Sequence, residues 1–470
     1  MTVPQTATRL PRPVKMGEVL TVEIDKLALH GQGVARHQGM TLFVKDGLPG
    51  DRAEVRVTRL KSQYAETQLV RLERPSPQRI TPACAHFGTC GGCDLQHFQY
   101  DAQVSWKQTQ LAETLEHLGG LRGLPPIETV PMADPWHYRN KMEFSFGERQ
   151  GRIVAGLHQR GSFQHIVKLD RCWIAPPLAS DALQVVEAAV NASGLPSYNQ
   201  RRHEGFWRYM VIRVARSTGQ GLLMLVTNDG PREAVVRVAE AVVQALPQVT
   251  SVLWGVSTRV SDVAHPERTD VLIGRELLED QIGPLSLQFR PMNFVQPNLA
   301  QAEVLYQTMQ TAAALTGRET VYDLYCGLGV IALLLAPQAK AVYGVENDPE
   351  NVSLATANAQ RNHVGNAAFI CGKVEDILLR RGLFRMGPAP DLIIVDPPRV
   401  GLHPEVIGPL LQAQAPRLFY VSCNPASLAR DLKLILDREP RYRVTRLTLF
   451  DFFPHTGHME VFVTLDHRVI

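Results

Sequence analysis

Three groups able to do chemistry stand near the C-terminus, where strands are expected to end. The strand Asp391-Leu-Ile-Ile-Val395 runs into Asp396-Pro397-Pro398-Arg399, and Arg417-Leu-Phe-Tyr-Val421 runs into Ser422-Cys423-Asn424-Pro425. Phe453-Pro454-His455-Thr456-Gly457-His458-Met459-Glu460 follows. In a parallel sheet, functional groups gather just past the carboxyl ends of the strands, so the first two motifs open into one crevice. A cysteine by itself is more often a small buried hydrophobe. Beside a stiff, polar Asp-Pro-Pro clamp, whose prolines fix φ, it suggests covalent chemistry on a flat heterocycle.

Uracil is a heterocycle that needs such help. Its C5 is a poor nucleophile until a thiolate adds at C6, after which the enolate can attack an activated methyl group and the C5 proton must be removed. That requires a cysteine with raised thiolate character, a general base and a methyl donor. Cys423 fits the nucleophile and Glu460 the base, with Asp396 orienting the ring. His455 and His458 are alternative bases, better suited to positioning or RNA contact, and with no further ligand near them in sequence they do not read as a metal site.

A donor site is written upstream. Thr320-Val-Tyr-Asp323-Leu-Tyr325-Cys-Gly327-Leu-Gly329 is a strand entering a Gly-rich turn before a helix, and Ala341-Val-Tyr-Gly-Val-Glu346 ends in an acid that can hold ribose hydroxyls. Gly327-x-Gly329-x-x-Ala332 also satisfies the dinucleotide pattern. Asp323 separates the two: an acid before the glycines repels a pyrophosphate but can receive the cationic end of S-adenosylmethionine.

The elements that must position these groups follow a regular order. From Asn298 onward helices and strands alternate, which predicts a doubly wound α/β sheet, with Tyr442–Phe450 and Met459–Leu465 as an antiparallel pair at its edge. Residues 136–290 mix strands (Tyr138–Phe146, Ile153–His158, Tyr209–Ala215, Gly221–Thr227, Ser251–Ser257) with two helical runs, a central α+β domain. A helix is expected from Phe98 to Leu118. Residues 15–74 hold five short alternating runs separated by Gly turns, as in a small OB-like β-barrel that binds oligonucleotides. Arg74-Pro-Ser-Pro-Gln-Arg79 reads as a proline-stiffened linker. The predicted division is an arm over 1–14, the barrel over 15–74, the central domain over 75–290 and the doubly wound domain over 291–470.

Composition narrows the class. At 470 residues, 45% hydrophobic and 20% charged, the chain is an ordinary globular protein too long for one core. No apolar run nears the ~20 residues of a membrane span, and Met1–Lys15 lacks an apolar secretory core, so a disordered arm on a cytoplasmic protein is expected. The net charge of +3 is uneven: residues 1–80 carry 13 Lys/Arg against 8 Asp/Glu, and 136–216 carry 12 against 6, interleaved with aromatics. Such segments suit phosphates and unstacked bases. Seven cysteines, an odd number, argue against a disulfide framework. Four thiolates at Cys84-x5-Cys90-x2-Cys93 and Cys172 could hold zinc or an iron–sulfur cluster.

With these residues assembled, the chain resembles the RNA uracil-C5-methyltransferase family that includes rRNA and tRNA enzymes. The matching motifs are Phe294-Val-Gln296-Pro-Asn298, Asp323–Gly329, Gly344-Val-Glu346, Asp396-Pro-Pro-Arg399, Ser422-Cys423-Asn-Pro425 and Phe453–Glu460. The resemblance covers essentially the whole chain. It implies a C-terminal Rossmann-like class I methyltransferase domain in which Gln296, Tyr325, Glu346 and Asp396 bind S-adenosylmethionine, Cys423 is the nucleophile and Glu460 accepts the proton. It implies that Cys84, Cys90, Cys93 and Cys172 hold a structural [4Fe–4S] cluster. It makes the barrel a TRAM domain, which tilts the substrate toward large-subunit (23S) rRNA over tRNA. RNA cytosine-C5 methylation, which uses the same thiolate logic, is the rival chemistry. No obligate protein partner is expected. Val330 after the Gly turn and Gly372-Lys-Val-Glu375 after the third strand depart from the family pattern.

Overall fold

The computed structural model describes residues 13–29, 31–260 and 263–467. The chain forms two compact units, one of residues 1–83, 93–110 and 455–457, the other of 84–92, 111–454 and 458–470.

The first unit is built on a six-stranded sheet ordered Val19–Glu23, Arg52–Leu60, Tyr64–Arg74, Met40–Lys45, Gly33–His37 and Lys26–Leu27. All neighbours run antiparallel except Met40–Lys45 against Tyr64–Arg74. The two-residue strand Lys26–Leu27 is the addition to the five expected runs. Alternation does the work here: Val22, Leu42, Val44, Val55 and Ala65 face one core, with polar neighbours outside. Val14, at the end of the expected arm, is buried in that core; residues 1–12 lie outside the described residues. The segment after the sheet is pinned rather than spacer-like. The buried Asp51 carboxylate accepts from Leu48 N (2.7 Å), Ser76 N (2.8 Å) and the Arg79 guanidinium. His455 also belongs here: its carbonyl accepts from Asp94 N and Leu95 N, both at 2.9 Å, and Gln103 bonds its backbone and ring.

The second unit holds the chemistry. Its C-terminal sheet has strands β1 (Thr320–Leu324), β2 (Ala341–Glu346), β3 (Ala367–Cys371), β4 (Leu392–Val395), β5 (Arg417–Ser422), β6 (Tyr442–Phe450) and β7 (Glu460–His467), in the order β3-β2-β1-β4-β5-β7-β6. β1 to β5 pair in parallel, and β7 is antiparallel to both β5 and β6. The reversed β6–β7 pair therefore lies one place inside the edge, because Ile127–Val130 adds a parallel strand outside β6. Helices α1 (Val330–Leu335), α2 (Pro349–Arg361), α3 (Val374–Leu379), α4 (Leu383–Met386), α5 (Pro404–Gln412) and α6 (Pro425–Arg438) connect the strands. β4 (Leu392-Ile-Ile-Val395) is apolar and buried throughout, because helices cover both faces of the sheet there.

A seven-stranded sheet precedes it, ordered Ile166–Lys168, Arg152–His158, Lys141–Arg149, Trp207–Val214, Gly221–Thr227, Val249–Val256 and Arg268–Ile273. Helices Pro177–Ala192 and Arg232–Ala245 pack on one face through Leu183, Val186, Val235 and Val238. On the other face, Val211, Leu222 and Met224 join a single core with Leu287, Leu305, Val421 and Phe462. That shared core explains why the central and C-terminal segments, expected as separate domains, fall in one unit.

Candidate active site

Strand register brings the sequence-predicted residues together. Leu324 pairs with Val345 on one side and Val395 on the other, so the next residues, Tyr325, Glu346 and Asp396, emerge side by side. Ser422 of β5 pairs with Val461 of β7, which sets Cys423 opposite Glu460 although the two strands run in opposite directions. A loop before the helix Leu299–Ala313 supplies Gln296. All six, Gln296, Tyr325, Glu346, Asp396, Cys423 and Glu460, line one cavity of about 860 Å³. With neighbouring strands ~4.8 Å apart, the tips of β2 and β5 lie about 14 Å from each other.

Each side chain is held by its own local device. Glu346 accepts from Gly327 N (3.0 Å) and Asp348 N (2.9 Å), so the carboxylate braces the Gly turn. Gly329 has φ +75°, and a Cβ there would meet the Phe369 ring at 2.6 Å; only glycine lets the turn pack so closely. Cys423 sits just before the Asn424 cap of α6, whose side chain accepts from Ala426 N (3.1 Å) and donates to Arg399 O (3.0 Å). One asparagine thus ties the cysteine loop to the Asp-Pro-Pro-Arg loop. Gln296 is fixed from outside its loop: Asn140 donates to its carbonyl (3.0 Å) and to that of Pro297 (2.8 Å). The buried Arg213 donates to Pro291 O (2.8 Å) and Asn293 O.

The electrostatics of this cavity are acidic. Burial pushes the Asp396 carboxyl up to about 7. Burial, then the neighbouring Asp396, pushes Glu460 well above the carboxylate range. The Cys423 thiol is raised to about 11 by burial and then by Glu460 and Asp396, with Arg399 opposing. Burial first, and then two acids opposed by a single guanidinium, disfavour the Cys423 thiolate.

Two residues behave differently from the sequence reading, and three were not found by it. Asp323 does not line the cavity. It is buried under the Gly turn, where Oδ2 accepts from Ala332 N at the start of α1 (3.1 Å), Oδ1 has no partner, and burial with Asp396 nearby raises its pKa to about 8. His455 is packed in the other unit. Tyr306 does line the cavity, and its buried hydroxyl is pushed up by burial and then by Asp396, Asp323 and Glu460. Asn140 lies 156 residues before Gln296 and Arg213 lies 78 before Pro291, and no local pattern announces either; Tyr306 sits on an amphipathic helix, where an aromatic reads as core.

Cys84, Cys90 and Cys172 lie in the same unit. Burial, with Cys172 and Cys84 nearby, lifts the Cys90 thiol to about 11; burial, with Cys84 among the further causes, lifts Cys172. Cys93 belongs to the first unit, where Gln96 Nε2 donates to its Sγ at 3.2 Å. Three thiols within electrostatic reach are a donor set for a soft metal, yet among the described residues no group of three or more His, Cys, Asp or Glu side chains is arranged to hold a metal ion.

A β3-β2-β1-β4-β5-β7-β6 sheet with a reversed β7 and a Gly turn after β1 defines the C-terminal part as a class I methyltransferase fold. Residues 269–468 match the family described as tRNA (Uracil-5-)-methyltransferase, and residues 13–70 match the TRAM domain. An uncharacterized RNA methyltransferase of Bacillus cereus is 35% identical over 97% of this chain and 98% of its own length. One from Nostoc is 37% identical over 95% of each. The crystal structure of Pyrococcus abyssi tRNA (uracil-54, C5)-methyltransferase with S-adenosyl-L-homocysteine superposes with a TM-score of 0.75 at 28% identity, covering 95% of this chain and 99% of that one. The chain belongs to the S-adenosylmethionine-dependent tRNA/rRNA uracil-5-methyltransferase family and carries its TRAM domain. Among the described residues no helix is long and apolar enough to cross a membrane.

Proposed function

We propose that this protein methylates C5 of a uridine in large-subunit (23S) rRNA through a covalent bond between Cys423 and C6 of the base. The observation that carries this reading is the convergence of Cys423, Asp396 and Glu460 with Gln296, Tyr325 and Glu346 on one cavity. Its volume falls within the ~300–1,000 Å³ of ligand sites. Glu346 and Tyr325 would take the adenosine end of the donor, as its ribose hydroxyls match a carboxylate; Asp396 stands between donor and base.

The steps balance on these groups. Cys423 Sγ bonds to C6 as its proton passes to the Asp396–Glu460 pair, and the C5=C6 electrons move onto the O4 enolate. C5 bonds to the methyl carbon as the carbon–sulfur bond of the donor breaks, releasing S-adenosylhomocysteine. Glu460 takes the C5 proton as the C6–Sγ bond breaks; the departing thiolate recovers the proton lent to the Asp396–Glu460 pair, and the C5 proton is released to water. The target must be unpaired or flipped out to reach Cys423. The TRAM domain, with its OB-like fold, and the basic central segment would hold the surrounding RNA, in a cytoplasmic setting. The four-cysteine spacing keeps a [4Fe–4S] cluster in the proposal as a structural element; iron and sulfide assayed on protein purified without oxygen test it, and loss of both in Cys90→Ser is the expected result.

A tRNA substrate is the second reading, favoured because the Pyrococcus relative, named for a tRNA uridine, matches nearly this whole chain including its N-terminal part. Incubation with methyl-labelled donor and either 23S rRNA or tRNA, followed by digestion to nucleosides, separates the cases. Label in 5-methyluridine from rRNA supports the proposal, from tRNA the second reading, and in 5-methylcytidine neither.

A further inference from the structure

A second cavity, of about 320 Å³, lies in the central sheet away from the residues above. Its floor is the adjacent strands Lys141–Arg149 and Trp207–Val214, which contribute Ser145, Arg208 and Tyr209. Arg208 is 2% exposed. Its guanidinium lies over the Tyr198 ring at 4.1 Å and near Tyr209 at 5.9 Å, and it donates to Ser257 O at 2.8 Å. The result is a flat, cationic and aromatic surface held rigidly.

The walls are two tight loops. Asn199 Oδ1 accepts from Arg201 N (3.0 Å) and Arg202 N (3.1 Å), which turns the Ser197–Arg201 segment along one side. On the other, Gln159 N donates to His165 O (2.8 Å), Ser162 N donates to Gln159 O (2.9 Å), and Ser162 Oγ lies 3.0 Å from His165 Nδ1. This turn holds Phe163 outward, 81% exposed, where its apolar ring gains nothing from the fold. The same hairpin is braced from below: Gly91 N donates to His158 O (3.0 Å), Arg160 N donates to Thr89 O (2.9 Å), and Cys90 bridges Gln159. Two arginines and two histidines line the cavity against one acid, Glu148.

We propose that this cavity is a nucleotide subsite, in which an unstacked base of the RNA substrate stacks on Phe163 while Arg201 faces its phosphate. A protruding aromatic beside a cationic floor is what single-stranded RNA selects, since every base has a face to stack and every linkage a charge to neutralise. The subsite rests on the RNA substrate of the family, and not on which RNA or which base is methylated.

The test uses the full-length protein and a fluorescein-labelled single-stranded oligouridylate of about 15 nucleotides, read by anisotropy. Phe163→Ala is expected to weaken binding roughly tenfold and Phe163→Trp to restore it; Arg201→Ala should weaken it and flatten the salt dependence. S-adenosylhomocysteine affinity should be the same in all three variants, which shows that they fold. With 4-thiouridine in the oligomer, photo-crosslinks should map to the tryptic peptide Gly161–Lys168. Binding by Phe163→Ala and Arg201→Ala within twofold of the parent, or a parent that does not hold the oligomer, overturns the subsite. A parent that methylates no uridine yet loses RNA affinity on Phe163→Ala overturns the proposed function and leaves the subsite standing.

Discussion

The acidic cavity predicts that the methyl donor itself switches on the nucleophile. The Cys423 thiol stands at about 11 against an ordinary 9.0, because burial and then the facing Glu460 and Asp396 disfavour its thiolate. Unscreened, that difference is a hundredfold deficit in thiolate near pH 7.5; the sulfur is only part-buried, and screening by water brings the expected deficit nearer tenfold. A sulfonium bound in this cavity would oppose both acids: two unit charges ~5 Å apart interact by roughly 3 kcal/mol at an effective dielectric of 20. S-adenosylhomocysteine has nearly the same shape and lacks that charge. The assay is the rate of iodoacetamide labelling of Cys423, followed on the tryptic peptide Leu418–Arg430, with Cys423→Ser as the blank. The rate should rise about tenfold with S-adenosylmethionine and stay flat or fall with S-adenosylhomocysteine. Equal rates with the two ligands would refute the electrostatic account.

Glu460→Gln should also trap the protein–RNA adduct, because addition and methylation proceed while elimination stalls; a slow band on a denaturing gel that Cys423→Ala abolishes is the readout. Asp323→Asn should stabilise the protein, and more so at high pH. Its folded pKa of about 8 lies above the unfolded ~3.9, so the neutral acid is preferred in the fold, its contribution is fully present below pH ~4, and stability is lost as pH rises through 8. A Tm difference between variant and parent that does not widen from pH 5 to pH 8.5 would contradict this. Asn140→Ala should raise KM for the donor several-fold with little change in RNA affinity, as the side-chain hydrogen bond to the Gln296 carbonyl, worth ~1 kcal/mol, is lost while the backbone bond to Pro297 O remains.

Much of this was legible in the sequence because the motifs sit at strand ends, where local pattern fixes position. An apolar run of four to six residues ending in Asp396, Cys423 or Glu346 places a side chain at the crevice whatever the rest does. The failures share one cause, long-range packing. Asp323 reads as a donor contact because its place before the glycines is right, but the strand turns its side chain down onto the start of α1. The added strand Ile127–Val130 comes from more than 300 residues upstream of β6, and nothing in its own four residues says which sheet it joins. Alternation likewise shows that Val211 and Met224 face a core, not that the same core also holds Phe462.

That shared core has a functional consequence. Asn140 precedes and Arg213 lies within the strand pair that faces the second cavity from its other end, and both reach to the Pro291–Pro297 loop that carries Gln296. Arg213 is buried and drawn down to about 10 by desolvation, so moving it would strand a cation whose partners are carbonyls of that loop. The strands that would feel RNA are therefore bonded directly to the loop that would feel the donor. A displacement of Trp207–Val214 would pull through Arg213 on Pro291 and Asn293 of this loop, so RNA bound at the proposed subsite would be expected to alter donor affinity.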